Sequence, residues 1–231
     1  MKEEINPPSA ALDRLIEEVK ARQTTGTPPS KSGRKSSGDT RKPGRLEMIR
    51  QAIENAWKRH GLDEEPHIVE KVAEAISDGK GITLVGSIGS GKTRRLEAIC
   101  KAMGFQFLSS GEMIRMVREL QEKMGENTGF KMALLTQKKE FSEAKDHALA
   151  IDDMGKEPTE IVAYGTRHDY MVEAIEERYA AWKSYGWITI ISTQMSPEEI
   201  RKRYPAHIAD RIGEMTVPVF LSRRSRRVSW L

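Results

Sequence analysis

Glycines at 86, 89 and 91, a lysine at 92 and a threonine at 93 make up the stretch GSIGSGKT, directly after the apolar run GITLV at 81–85. Such a loop can turn its backbone N–H groups onto a phosphate, because glycine permits the tight turn and a following helix adds the positive end of its dipole. Lys92 would neutralise charge on the β- and γ-phosphates, and the Thr93 hydroxyl would reach Mg²⁺. The context fits as well: Ile82 to Val85 reads as a buried strand, and Leu96 and Ile99 share one face of a helix opening at Lys92. Gly86, Ser87, Ile88, Gly89, Ser90, Gly91, Lys92, Thr93 and Arg94 are therefore the expected binding residues for ATP with Mg²⁺.

A second constellation lies in HALAIDDMGKE, residues 147–157. An apolar run ends there in Asp152 and Asp153. A carboxylate at the carboxyl end of a neighbouring strand is where Mg²⁺ takes its second anchor, often through water. Asp152 fits that place, and Asp153 would face the attacking water as base or orienting group.

These residues need a scaffold. Strands are expected at about 81–85, 105–108, 147–151, 187–192 and 217–221, and helices at 45–59, 66–78 and 110–124. Leu46, Ile49, Ile53 and Trp57 would face inward on the first helix, and Met113, Val117, Leu120 and Met124 on the third. Ser109-x-x-Glu112 and Ser196-Pro197-x-Glu199 have capping-box spacing, in which hydroxyl and carboxylate satisfy each other's backbone donors. Short apolar strands alternating with helices predict an α/β fold, with five parallel strands between two layers of helices. No internal repeat is evident.

At 231 residues the chain suits one core plus an extension. Its 31% of charged residues and lack of a long apolar run predict a soluble protein with no membrane segment. The start, MKEEINPPSAAL, lacks a secretory pattern. A single cysteine excludes an internal disulfide and fits a reducing cytoplasm. Cys100 shares a face with Leu96, Ile99 and Met103, which predicts packing, and Trp57, Trp182 and Trp187 likewise sit on apolar faces. The five histidines show no metal spacing.

Residues 1–22 read as an arm, with Leu12, Leu15, Ile16 and Val19 forming one helical stripe over 9–22. A helix this short is marginal alone, so its stripe should dock on a partner protein or fold back on the core. Residues 23–45 read as a flexible basic linker, with six Lys/Arg against one Asp in 31–45, and residues 46–231 as the ATPase domain. RRSRR at 223–227 adds basic charge that favours polyanions.

Together, GSIGSGKT and IDDMGKE resemble the DnaC-type helicase loaders and the related IstB transposition ATPases of the AAA+ superfamily, which carry Asp-Asp-Leu-Gly-x-Glu after a strand. MGFQFLSSGEMIRMV, EAIEERYAAWKSYGWITIISTQMSPEEI and IADRIGEM with VPVFLSRRSRR extend the resemblance over about residues 65–228. The resemblance implies a γ-phosphate sensor at Thr193 or Gln194, where the family usually has asparagine. It also implies an arginine finger at Arg211, reaching the nucleotide of a neighbouring subunit. A further nucleotide-contacting arginine falls among Arg223, Arg224, Arg226 and Arg227, with Arg226 taken as the match. The family's lack of a helical lid agrees with the chain stopping at Leu231.

The resulting expectation is an ATP-hydrolysing switch that assembles with itself through Arg211 and on DNA. Its partners would be a replicative helicase or other protein, through 9–22, and single-stranded rather than duplex DNA. Arg115, Arg118, Lys131, Lys138 and Lys139 could line the DNA path, or simply form the wet side of a helix. A transposition helper acting on duplex DNA and a nucleotide-binding scaffold without turnover stand as alternatives. A small-molecule kinase fits less well, for no acceptor pocket or arginine lid is visible.

Overall fold

The computed structural model describes residues 44–62, 65–125, 148–163 and 165–221. The 9–22 arm, nearly all of the linker, Lys131, Lys138, Lys139, His147 and Arg226 lie outside the described residues.

Helix α1 (Arg45–Arg59) leads into α2 (Pro66–Ser77), which starts on proline, a residue that gives up no helical hydrogen bond in the first turn. Ile49, Ile53 and Trp57 of α1 are buried as expected, but Leu46, expected to face inward, is exposed in the first turn of the helix, where nothing described packs over it. Strand β1 (Gly81–Val85) is buried throughout. It feeds α3 (Lys92–Met103), β2 (Gln106–Ser109) and α4 (Ser110–Met124). After β3 (Leu149–Met154) come β4 (Ile161–Ala163) and β5 (Thr166–His168), an antiparallel hairpin that the sequence pattern did not announce. The chain continues through α5 (Tyr170–Tyr185), β6 (Thr189–Thr193), α6 (Pro197–Arg203), α7 (Ala206–Met215) and β7 (Thr216–Phe220). The two expected capping boxes are present: the Glu112 and Glu199 N–H groups donate to the hydroxyls of Ser109 and Ser196, each at 3.2 Å, and the carboxylates accept in return.

Five parallel strands form one sheet in the order β2-β3-β6-β1-β7. Alternation along each strand fills two layers. Ile82, Leu84, Ala150, Ile190 and Val219 face the side packed by α1, α2 and α3, together with Cys100. Leu108, Leu149, Ile151 and Ile191 face the side packed by α4, α5 and α7. Trp57 is buried, while Trp182 and Trp187 are half-buried, the former donating its ring N–H to the Gly79 carbonyl at 2.9 Å. Arg178, fully buried on α5, ties that helix to the start of β6 through the Thr189 hydroxyl and the Ile188 carbonyl, each at 2.8 Å. Burial pushes its guanidinium down to about 9, so it stays protonated at neutral pH.

One consequence of the strand order governs the site. β6 lies between β1 and β3, so its carboxyl end sits between the glycine-rich loop and the two aspartates. Crevices outside the carboxyl ends of such strands are where α/β sheets bind ligands.

Candidate active site

Thr193 and Val85 are paired in the sheet, and the chain leaves β1 with the Gly86 N–H donating to the Thr193 carbonyl at 3.3 Å. A Cβ at Gly86 would meet the Ser90 hydroxyl at 2.7 Å, so the turn closes only on glycine. Gly89 and Gly91 hold φ of 82° and 83°, the left-handed region that side chains avoid. Lys92 then opens α3. Its side chain curls back into the loop, the ammonium donating to the carbonyls of Gly86 at 2.7 Å and Ser87 at 3.0 Å. The Ser90 hydroxyl is buried beside it with no hydrogen-bond partner among the described residues.

Behind the loop stands Arg95, fully buried and missed in the sequence. It donates to the Ser90 carbonyl at 3.0 Å and to Glu65 at 2.5 Å, with its guanidinium 5.2 Å from the centre of the Trp57 ring. The phosphate loop is thereby braced against the α1–α2 region. Its periodicity placed Arg95 next to an apolar residue, and no local pattern distinguishes a buried arginine from an exposed one.

The aspartates occupy a bulge. Ile151 pairs with Ile191 and Met154 with Thr193, so Asp152 and Asp153 together oppose the single residue Ser192. Asp153 takes φ of 60°, the one non-glycine residue in the left-handed region among those described. In a regular strand the two carboxylates would point to opposite faces; the bulge re-aims them. Asp152 is buried and accepts from the Thr93 hydroxyl at 2.8 Å and from the Ser192 hydroxyl on its other oxygen. Ser192 in turn accepts from the Asp153 N–H at 3.1 Å. Asp153 keeps its carboxylate at the crevice, bridged to Lys156 at 2.6 Å.

MGKE closes this turn. Gly155 has φ of 98°, and a Cβ there would strike the Met195 sulfur at 2.3 Å. Its N–H donates at 2.7 Å to Glu157, whose fully buried side chain also takes the Tyr204 hydroxyl. Burial, and then the Glu157 charge, push the Tyr204 phenol up. The last carboxylate of the motif is thus an anchor for the loop and not a reacting group.

A cavity of about 690 Å³ runs from Gly61 and Leu62 across the loop to Asp153, Lys156 and Gln194. The structure therefore brings together Gly86 to Arg94, Asp152, Asp153 and Gln194. Thr193 is elsewhere: it is fully buried, and its hydroxyl donates to the Met154 carbonyl at 2.8 Å and accepts from the Met195 N–H. Arg211 does not line the cavity; it lies on α7, bonded at 2.8 Å to Glu176 of α5. Arg94 donates at 2.7 Å to the His60 carbonyl beside Gly61.

The residues suit a nucleoside triphosphate with Mg²⁺. The Lys92 ammonium lies at the glycine-rich loop and lines the cavity, and Thr93 and Asp152 present the hard oxygen ligands this cation takes.

No family model matches the chain, and no curated protein matches its sequence. Among solved structures, DnaI matches with a TM-score of 0.52 at 16% identity, over 75% of this chain and 94% of that one. The chain shares the fold of DnaI, here five parallel strands between two layers of helices. The DnaC helicase loader matches with a TM-score of 0.46 at 22% identity, over 80% of this chain and 95% of that one. AMPPCP-bound DnaA from Aquifex aeolicus matches with a TM-score of 0.49 at 19% identity, over 69% and 48%. Identities this low carry the fold and not the activity. Among the described residues, no helix is long and apolar enough to cross a membrane.

Proposed function

We propose that this chain is an ATP-hydrolysing switch of the helicase-loader type, acting in DNA replication. The observation that supports it best is the Thr93–Asp152–Ser192 relay, which fixes a carboxylate between the phosphate cradle and the sheet. The fold shared with DnaI and the IDDMGKE stretch favour a loader over other P-loop enzymes.

In this reading Lys92 balances phosphate charge, and Thr93 and Asp152 would hold Mg²⁺, which would supply positive charge beside the phosphates. Asp153, poised at the crevice by the bulge, orients the attacking water. Gln194, and not the inward-turned Thr193, senses the γ-phosphate. Arg211 completes the site of a neighbouring copy, and Arg226 a contact within its own chain. Turnover then depends on assembly, because a missing arginine finger costs about 10³ or more in rate. The 9–22 arm takes a helicase or other protein, and the core takes single-stranded DNA.

Phosphate release from ATP at low salt tests this, with no DNA, single strands or duplex. Stimulation by single strands is expected. Stimulation by duplex alone would contradict the loader reading and favour a transposition helper, and nucleotide binding without release would leave a scaffold.

A further inference from the structure

The α5–α7 face carries a matched pair of residue pairs. On α5, Glu176 and Tyr179 stand three residues apart; on α7, so do Arg211 and Glu214. Arg211 Nη1 donates to Glu176 Oε1 at 2.8 Å, and its guanidinium carbon lies 5.3 Å from the centre of the Tyr179 ring. The ring is itself pinned, since the Tyr179 hydroxyl donates to Glu214 at 2.6 Å. The other Arg211 donors, Nε and Nη2, have no partner among the described residues, and one third of the side chain is exposed. An arginine merely serving a surface ion pair gains little stability at such exposure. An arginine held at one nitrogen and over one ring face, with its remaining donors open, is pre-organised for an anion.

We propose that Glu176 is a positioning residue that acts through Arg211: it fixes the guanidinium so that its free donors meet the nucleotide phosphates of a second copy of this chain. This rests on the reading of Arg211 as an interface arginine. A free arginine side chain must give up its rotamer freedom each time it engages; Glu176, with Tyr179, removes that freedom beforehand. No contact between Glu176 and substrate is required.

The test is steady-state phosphate release by the full chain with MgATP, protein titrated until specific activity no longer rises. Glu176→Ala is expected to lower kcat by up to about 10²-fold, the scale of a group misplaced by about 1 Å, with ATP affinity and unfolding midpoint unchanged. Glu176→Gln should recover most of the loss, because the amide oxygen still accepts from Nη1. Arg211→Ala runs beside them. If Arg211→Ala turns over at the parent rate, the interface-arginine reading fails and takes this proposal with it. If Arg211→Ala is inactive while Glu176→Ala keeps full kcat, the proposal alone is overturned. It is also overturned if Glu176→Gln is as slow as Glu176→Ala, or if the loss lies in ATP affinity.

Discussion

The hydroxyl of Ser192 donates to the Asp152 carboxylate and accepts from the Asp153 backbone N–H, so one small side chain on β6 holds both acids of the bulge. Ser192→Ala removes a hydrogen bond to a charged group, worth about 1.5–3 kcal/mol, and leaves Asp152 tied to Thr93 alone. The Mg²⁺ concentration for half-maximal phosphate release should rise about tenfold. An unchanged Mg²⁺ dependence would mean that Ser192 does not position the carboxylate.

Gly155 makes a second point of failure, away from the phosphates. Gly155→Ala places a side chain at φ of 98° and drives a Cβ into the Met195 sulfur. The strained backbone costs about 1–3 kcal/mol, and at about 2–4 °C per kcal/mol for a domain of this size the melting temperature should fall by about 2–12 °C. Turnover should drop with it, because the same turn carries Asp153. A scan that overlays the parent protein would contradict this.

How much of this was legible beforehand follows from range. GSIGSGKT, the capping boxes and the Ile49, Ile53 and Trp57 face of α1 are local patterns, and the structure has them where the sequence put them, Leu46 excepted. The strand expected at 147–151 instead runs from Leu149 to Met154, through both aspartates, because pairing with β6 on one side carries it on as a bulge. Nothing in IDDMGKE encodes that two residues will oppose one. Ser192, Arg95 and Glu157 were missed for the same reason: each acts on a partner at least 30 residues away in sequence. Thr193 and Gln194 were indistinguishable until the strand's end was known.

Cys100 supplies a test of the core. Burial raises its thiol well above the ordinary value, with the Glu97 and Asp152 charges adding to the effect. The thiolate is the reactive form, so the folded protein at pH 8 should not react with Ellman's reagent over minutes, and denaturant should release one thiol per chain. Prompt labelling without denaturant would contradict the packing of α3 on the sheet.

Acid should weaken the fold in a defined direction. Glu199 is held below its ordinary value of 4.5 by the Ser196 backbone N–H of the capping box, and Glu214 by the Lys183 ammonium and then the Tyr179 hydroxyl. A carboxyl depressed in the folded state binds fewer protons there than when unfolded, so its contribution is present above pH about 4.5 and lost as pH falls through the lower folded value. The urea midpoint should therefore decline below about pH 4.5, and decline less in Glu199→Gln. Equal acid sensitivity in the variant would remove Glu199 from the cause.

The central claim is that each site is completed by a second copy, and complementation between two inactive variants tests it most directly. Asp153→Asn keeps Arg211 but loses the group that orients water; Arg211→Ala keeps Asp153 but lacks the arginine. Each alone should release phosphate far more slowly than the parent chain, Arg211→Ala by about 10³-fold or more. Mixed in equal amounts at high concentration, they should regain a substantial part of the parent rate, because an Asp153→Asn subunit supplies Arg211 to an intact site. A mixture no faster than its two components, or an Arg211→Ala chain active by itself, would contradict the account.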